Sequence, residues 1–150
     1  MPIGDICNRD VITVHVEDTV LQAAKVMRQR HVGDVVVMDQ RDGRTVPVGI
    51  ITDRDVVVEL VAPELDPSAI TVGDIMVPEL AKVKEGAGVF ETIQTMCDKG
   101  VRRLPVVTDD EQELAGIVTL DDIMMLLAEE FGALTRLVTC ERNNEASLRR

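Results

Sequence analysis

Aromatic side chains are almost missing from this chain. Its 150 residues include two Phe (Phe90 and Phe131), no Trp and no Tyr. Proteins that hold single-stranded nucleic acid stack bases on aromatic platforms, and this one lacks them. Positive charge is scarce too: 16 Lys and Arg against 27 Asp and Glu give a formal net charge of -11. Phosphate backbones are bound through Lys and Arg with release of counterions, so nucleic acid is a poor default partner, a local basic patch aside. Cys7, Cys97 and Cys140 are odd in number, far apart and form no Cys-x-x-Cys pair. That argues against a disulfide framework and a zinc site, and for thiols in a reducing compartment. The apolar runs are strand-sized, well below the roughly 20 residues of a membrane span. The start, Met1-Pro2-Ile3-Gly4-Asp5, has neither the basic nor the apolar region of a signal peptide. The expectation is a soluble cytoplasmic protein with no membrane partner.

Catalytic signatures are missing as well. There is no nucleophile–base spacing, no metal-ligand cluster and no glycine-rich phosphate loop, so no enzymatic activity, catalytic residue or metal is expected. His15 and His31 have no partner at metal-ligand spacing. Asp109-Asp110-Glu111 has the composition of a Mg²⁺ site, but an exposed acidic turn is the commoner meaning.

Apolar residues, at 45%, are abundant enough for a core of Val, Ile, Leu, Met and Ala. They are arranged in a repeat. Gly4-Asp5-Ile6 recurs 69 residues later as Gly73-Asp74-Ile75. At the same offset Val20, Ala23, Ala24 and Met27 meet Val89, Thr92, Ile93 and Met96, both at the i, i+3, i+4, i+7 spacing of a helix face. Val35-Val36-Val37-Met38 meets Leu104-Pro105-Val106-Val107. Gly49 then meets Gly116 at an offset of 67, so two residues are lost in the intervening polar turn, 39–43 in the first copy. His31 falls on Gly100, which predicts a turn after each helix.

Each copy reads as a leading Gly-Asp-Ile turn or helix, an extended piece (11–14; 80–83), a helix (19–30; 89–99), two strands (35–38 with 46–51; 104–107 with 114–118) and a closing helix (53–61; 120–131). The predicted divisions are 1–62, a linker 63–70, 71–132, and a tail 133–150 whose apolar start extends the last helix and whose end, 141–150, is mobile. A unit this small has little interior of its own, so the copies are expected to pack sheet to sheet as one body.

Each copy ends on Gly-Ile-[Ile/Val]-Thr-x-x-Asp: Gly49-Ile50-Ile51-Thr52-x-x-Asp55 and Gly116-Ile117-Val118-Thr119-x-x-Asp122. With the β-α-β-β-α order and the Leu104-Pro105-Val106-Val107 strand, this resembles a tandem CBS-domain pair (a Bateman module), over nearly the whole chain. The resemblance implies an α+β fold of two α/β-type units related by a pseudo-two-fold axis. It implies an adenosine-type ligand, AMP, ADP or ATP first and S-adenosylmethionine or NAD as alternatives, held in clefts between the units with no further cofactor. It assigns Asp55 and Asp122 to the ribose hydroxyls and Thr52 and Thr119 to the phosphate. The strand preceding each motif and the extended pieces around Thr13-Val14 and Lys82-Val83 complete the pockets, with Pro105 as a further contact. It also implies a homodimer forming a four-unit disc that acts in trans on a regulated protein.

The chemistry agrees independently. A carboxylate accepts both hydrogen bonds of a vicinal diol, and a helix start offers free N–H groups to an anion. The competing meaning is helix capping, since Thr-x-x-Asp is also the spacing of a capping box, and Thr71-x-x-Asp74 repeats it where no pocket is expected. The copies differ in charge. Arg54 suits a phosphate where Asp121 repels one, while Lys82 stands for Thr13 and Arg102-Arg103 for Gly33-Asp34. Two pockets of unequal phosphate tolerance are therefore expected. A solvated strand end remains the alternative for Arg102 and Arg103, and a scaffold with degenerate pockets the alternative function.

Overall fold

Both stripe helices start and stop where the sequence punctuates them. Thr19 caps α1 (Val20–Arg30) reciprocally: its hydroxyl accepts the Gln22 N–H at 3.2 Å, and Gln22 Oε1 accepts the Thr19 N–H at 2.8 Å. His31, at φ 56°, ends this helix in the left-handed conformation. Gly100, at φ 65°, ends its counterpart in the second copy, Val89–Lys99. Glycine adopts that conformation without a Cβ clash, whereas histidine carries a cost of about 1 kcal/mol.

The computed structural model describes residues 1–110 and 113–148. In the first unit β1 (Thr13–His15) precedes α1. The hairpin β2 (Asp34–Arg41) and β3 (Arg44–Thr52) follows, then α2 (Asp53–Val56), which continues as a π-helical turn, Val57–Val61. In the second, α3 (Val72–Ile75) leads to β4 (Val83–Lys84), α4 (Val89–Lys99), β5 (Arg103–Val107), β6 (Leu114–Thr119) and α5 (Leu120–Leu148). A 3₁₀ turn, Ile3–Asp5, is the first copy's equivalent of α3. The sheets have the orders β1-β2-β3 and β4-β5-β6, each a parallel pair followed by an antiparallel hairpin. This is the mixed α+β architecture that the resemblance implies.

The extended pieces expected at 11–14 and 80–83 pair as strands only at Thr13–His15 and Val83–Lys84, and two further boundaries differ from expectation. The polar stretch 39–43 is not all turn. Asp42 and Gly43, at φ 51° and 76°, make a two-residue turn of the kind that matches strand twist, and the ladder runs out to Arg41 and Arg44. At the other end the last helix runs beyond the apolar start of the tail. It is continuous to Leu148, so the segment 141–148, expected to be mobile, is helical. Glu111, Gln112, Arg149 and Arg150 lie outside the described residues.

The leading segments cross over. Ile3 is fully buried in the second unit's core with Leu104, Val106, Val118 and Ile123, while Val72 is fully buried in the first unit's core with Val35, Val37 and Ile51. The backbone bonds repeat across the copies. Ile3 N donates to Ala87 O at 2.7 Å and Gly4 N to Glu85 O at 2.9 Å; Val72 N donates to Asp18 O at 2.8 Å and Gly73 N to Val16 O at 3.0 Å. Neither unit is complete without the other's leading segment, so the boundaries expected at 62 and 71 divide the sequence but not the packing. The linker is also tied down, with Pro67 O and Ile70 O accepting from Leu21 N and Val20 N.

This crossing accounts for the repeated glycine. Each hairpin carries a bulge beside it: Val37 faces Gly49 but Met38 faces Pro47, and Val106 faces Gly116 but Val107 faces Leu114. A Cβ on Gly49 would lie 2.7 Å from Met76 Sδ, and one on Gly116 would lie 2.5 Å from Cys7 Sγ. Cys7 and Met76 are equivalent positions in the crossing segments. A third apolar cluster, with Val36, Met38 and Ile117 buried against Val11, Ile50 and Leu114, joins the two sheets.

Candidate functional site

Thr52 and Thr119 sit where a strand becomes a helix, and both form a reciprocal cap. Asp55 Oδ2 accepts from Thr52 N at 2.8 Å and from its hydroxyl at 2.9 Å; Asp122 Oδ2 accepts from Thr119 N at 2.8 Å and from its hydroxyl at 2.7 Å. Thr71 and Asp74 make the same two bonds, at 2.9 and 2.8 Å. Capping is therefore real at all three places, and the spacing alone does not separate a site from a helix start. In Asp55 and Asp122 the cap uses one carboxylate oxygen. Oδ1 has no hydrogen-bond partner among the described residues and remains an acceptor for a ligand hydroxyl. Capping and diol binding are compatible in one side chain.

What distinguishes the second copy's motif is its surroundings. A cleft of about 330 Å³ opens between the units, walled by Ile50 of the first and by Val77, Leu80, Ala81 and Val101 of the second, with Glu79, Lys99 and Arg103 around it. That volume is at the small end of ligand pockets. Arg103 is the cross-strand partner of Thr119, which puts the motif beside the cleft. Val36 donates its N–H to the carbonyl of Ile12, the residue before β1, so its ladder partner Ile50 turns its own N–H and C=O away from β2, to the outer edge of β3. Apolar walls, a free strand edge and a carboxylate can hold a flat heterocycle and a sugar diol.

The remaining predicted residues scatter. Val14, Val83 and Pro105 are buried, the two valines in the unit cores, so their side chains are not offered to the cleft. Thr13, Arg54 and Arg102 are exposed. Lys82 lines a separate hollow of about 480 Å³ with Lys84, Glu91, Thr95 and Asp109, all of the second unit. Of the predicted cations only Arg103 lines the cleft, and it is held by Asp34 of the first unit. The sequence points to the strand that holds Ile50 and to the extended piece that holds Leu80 and Ala81, but it singles out none of these as walls and misses Val77 and Val101, because apolar lining has the same composition as core. It also missed Asp34 as the partner of Arg103, although the two positions are 69 residues apart, the repeat offset itself.

Comparison with known proteins decides the family. The CBS-domain model matches twice, at residues 3–62 and 72–129. The chain belongs to the CBS-domain family. It is a tandem CBS pair, and its two units are CBS units. It is 40% identical over 124 residues to an uncharacterised protein of Methanopyrus kandleri, covering 83% of this chain and 61% of that protein. It is 34% identical over 125 residues to hypoxic response protein 1 of Mycobacterium tuberculosis, covering 83% and 84%. A crystal structure of hypoxic response protein I with two coordinated zinc ions aligns at TM-score 0.73 and 32% identity, over 83% of this chain and 98% of that one. A CBS pair in complex with 5'-methylthioadenosine and S-adenosyl-L-methionine aligns at TM-score 0.72 and 26% identity, over 87% and 98%. In this chain no group of three or more His, Cys, Asp or Glu among the described residues could hold a metal ion. Glu111 of the acidic turn lies outside those residues. No described helix is long and apolar enough to cross a membrane.

Proposed function

We propose that this CBS pair is a regulatory ligand-sensing module that takes an adenosine-type ligand in the inter-unit cleft beside Thr119 and Asp122. The observation that supports the reading is that Arg103, which lines the cleft, pairs across the ladder with Thr119, whose capping partner Asp122 keeps one carboxylate oxygen unengaged. The base would lie against Val77, Leu80 and Val101 with the edge of Ile50 available to it. The ribose diol would bond Asp122 Oδ1, and any phosphate would face Thr119 and Arg103. Walls come from both units, so a ligand there favours one arrangement of the units over others, and that shift is what a regulated partner would read. AMP, ADP and ATP are the first ligands to try, with S-adenosylmethionine and NAD next.

Self-association is part of the proposal. Val57 and Val61 on the π turn, and Met124 and Phe131 on α5, expose large apolar side chains, which supports a homodimer. Light scattering on the eluting protein gives its mass directly, and a monomer at all concentrations removes that element.

Calorimetry with AMP, ADP and ATP on the wild type, Asp55→Ala and Asp122→Ala tests the reading. The expected result is binding that falls at least tenfold in Asp122→Ala and less in Asp55→Ala. No heat from any nucleotide, with no rise in melting temperature at saturating concentration, leaves the scaffold reading in its place.

A further inference from the structure

The two cations at the cleft already have carboxylates. Lys99 Nζ lies 3.3 Å from Glu79 Oε1 at the rim, where both side chains are exposed and solvent weakens the pair. Arg103 Nη1 pairs with Asp34 Oδ2 in a more enclosed setting, their side chains 34% and 20% exposed. Asp34 stands opposite Thr52 on the ladder as Arg103 stands opposite Thr119. The two residues are thus equivalent, one from each copy, and meet across the pseudo-two-fold axis. A residue near such an axis faces its own counterpart. Two arginines or two aspartates there would repel; divergence to Asp and Arg makes the contact attractive.

The consequence reaches the ligand. A guanidinium presents a fork of donors suited to phosphate, but here part of the fork is committed to a carboxylate. An incoming phosphate must compete for Arg103 and tolerate Asp34 beside it. An uncharged nucleoside meets neither obstacle, since its contacts are the apolar walls, the Ile50 edge and Asp122.

We propose that Asp34, from the first unit, sets how much negative charge the second unit's cleft accepts. The proposal rests on the ligand reading above. Asp34 is a positioning residue that acts through Arg103, so the decisive quantity is the ratio of AMP to adenosine affinity rather than either alone. Calorimetry with adenosine and AMP on the wild type, Asp34→Asn, Asp34→Glu, and Asp34→Asn combined with Arg103→Ala measures it.

The expected result is an AMP affinity about tenfold higher in Asp34→Asn, the scale of one charge-assisted hydrogen bond, with adenosine within twofold of wild type. Asp34→Glu should restore the wild-type ratio, and adding Arg103→Ala should erase the gain. Asp34→Ser should reproduce the gain of Asp34→Asn and supplies the test if that variant melts early. An unchanged AMP-to-adenosine ratio in both Asp34→Asn and Asp34→Ser overturns the proposal and leaves the ligand reading standing. Absence of binding of either compound to every variant overturns both.

Discussion

The two crossing segments begin alike and end differently. Both pass under the bulge glycine of the other unit, and their backbone bonds match through Cys7 and Met76, whose N–H groups donate to Ile3 O and Val72 O. At the next residue the symmetry breaks. Asn8 exchanges two backbone bonds with Ile117, at 2.8 and 2.9 Å, and so laces the first segment onto the edge of β6. Val77 and Ile50 hold the equivalent positions, and among the described residues no backbone bond joins them; they wall the cleft instead. The sequence difference lies one residue on. Arg9 reaches back to Ala115 O at 3.4 Å and Gly4 O at 3.0 Å and lies 3.9 Å from Glu85. Pro78, its counterpart, has no donor and restricts Val77 to extended backbone. A duplicated framework thus yields one laced edge and one open one, and the open edge adjoins the candidate site.

The glycines test this contrast most severely. Gly116→Ala would put a Cβ 2.5 Å from Cys7 Sγ and 2.9 Å from the Asn8 carbonyl, an atom the lacing holds in place. Gly49→Ala meets the Met76 thioether at 2.7 Å and nothing else nearer than 3.4 Å. Chemical denaturation should show a loss of about 3 kcal/mol for Gly116→Ala and about 1 kcal/mol for Gly49→Ala, the span of overpacking costs. Equal losses would mean that the two edges are equally rigid.

Removing the staple comes next. Arg9→Ala should cost about 1 kcal/mol, a typical net hydrogen-bond contribution, and should speed hydrogen exchange at the Asn8 and Ile117 amides. If those amides stay as protected as before, Arg9 is not what laces the edge.

A comparable change of opposite sign is expected at the helix ends. His31→Gly removes a left-handed histidine and makes the first copy like the second at Gly100, so stability should rise by up to about 1 kcal/mol. A loss on thermal melting would show that the imidazole makes a contact outweighing the strain.

Acid provides the smallest effect. Thr71 bonds hold the Asp74 carboxyl below the usual carboxylate range, whereas Pro2, at the equivalent place, makes no side-chain cap. A carboxyl depressed in the folded state contributes stability that is complete above its unfolded pKa and is lost as pH falls through the folded value. Thr71→Val should therefore narrow the stability difference between neutral and acid pH slightly. Asp74 is fully exposed, and a large effect would contradict so light a role.

Much of this was legible from periodicity. Apolar spacing and left-handed enders are local signals, and they predict the helix 89–99 at its observed bounds and 19–30 within one residue. The hairpin was read too short, since Asp42-Gly43 supplies a whole turn and the polar residues around it pair as strand. The site was less legible. Thr119 and Asp122 were visible as a motif, but Thr71 and Asp74 show that the same letters serve capping alone. Lys82 looked like a phosphate contact and lines a different hollow.

The chain's own pattern settled what repeats: two copies, their elements and the caps. These follow from interactions between residues close in sequence. Only the folded arrangement decided which leading segment serves which unit, that Arg103 faces Asp34, and that Ile50 keeps a free edge while Ile117 does not. Those contacts join residues many tens of positions apart, and they depend on how two nearly equivalent units meet about an axis, which no local pattern records.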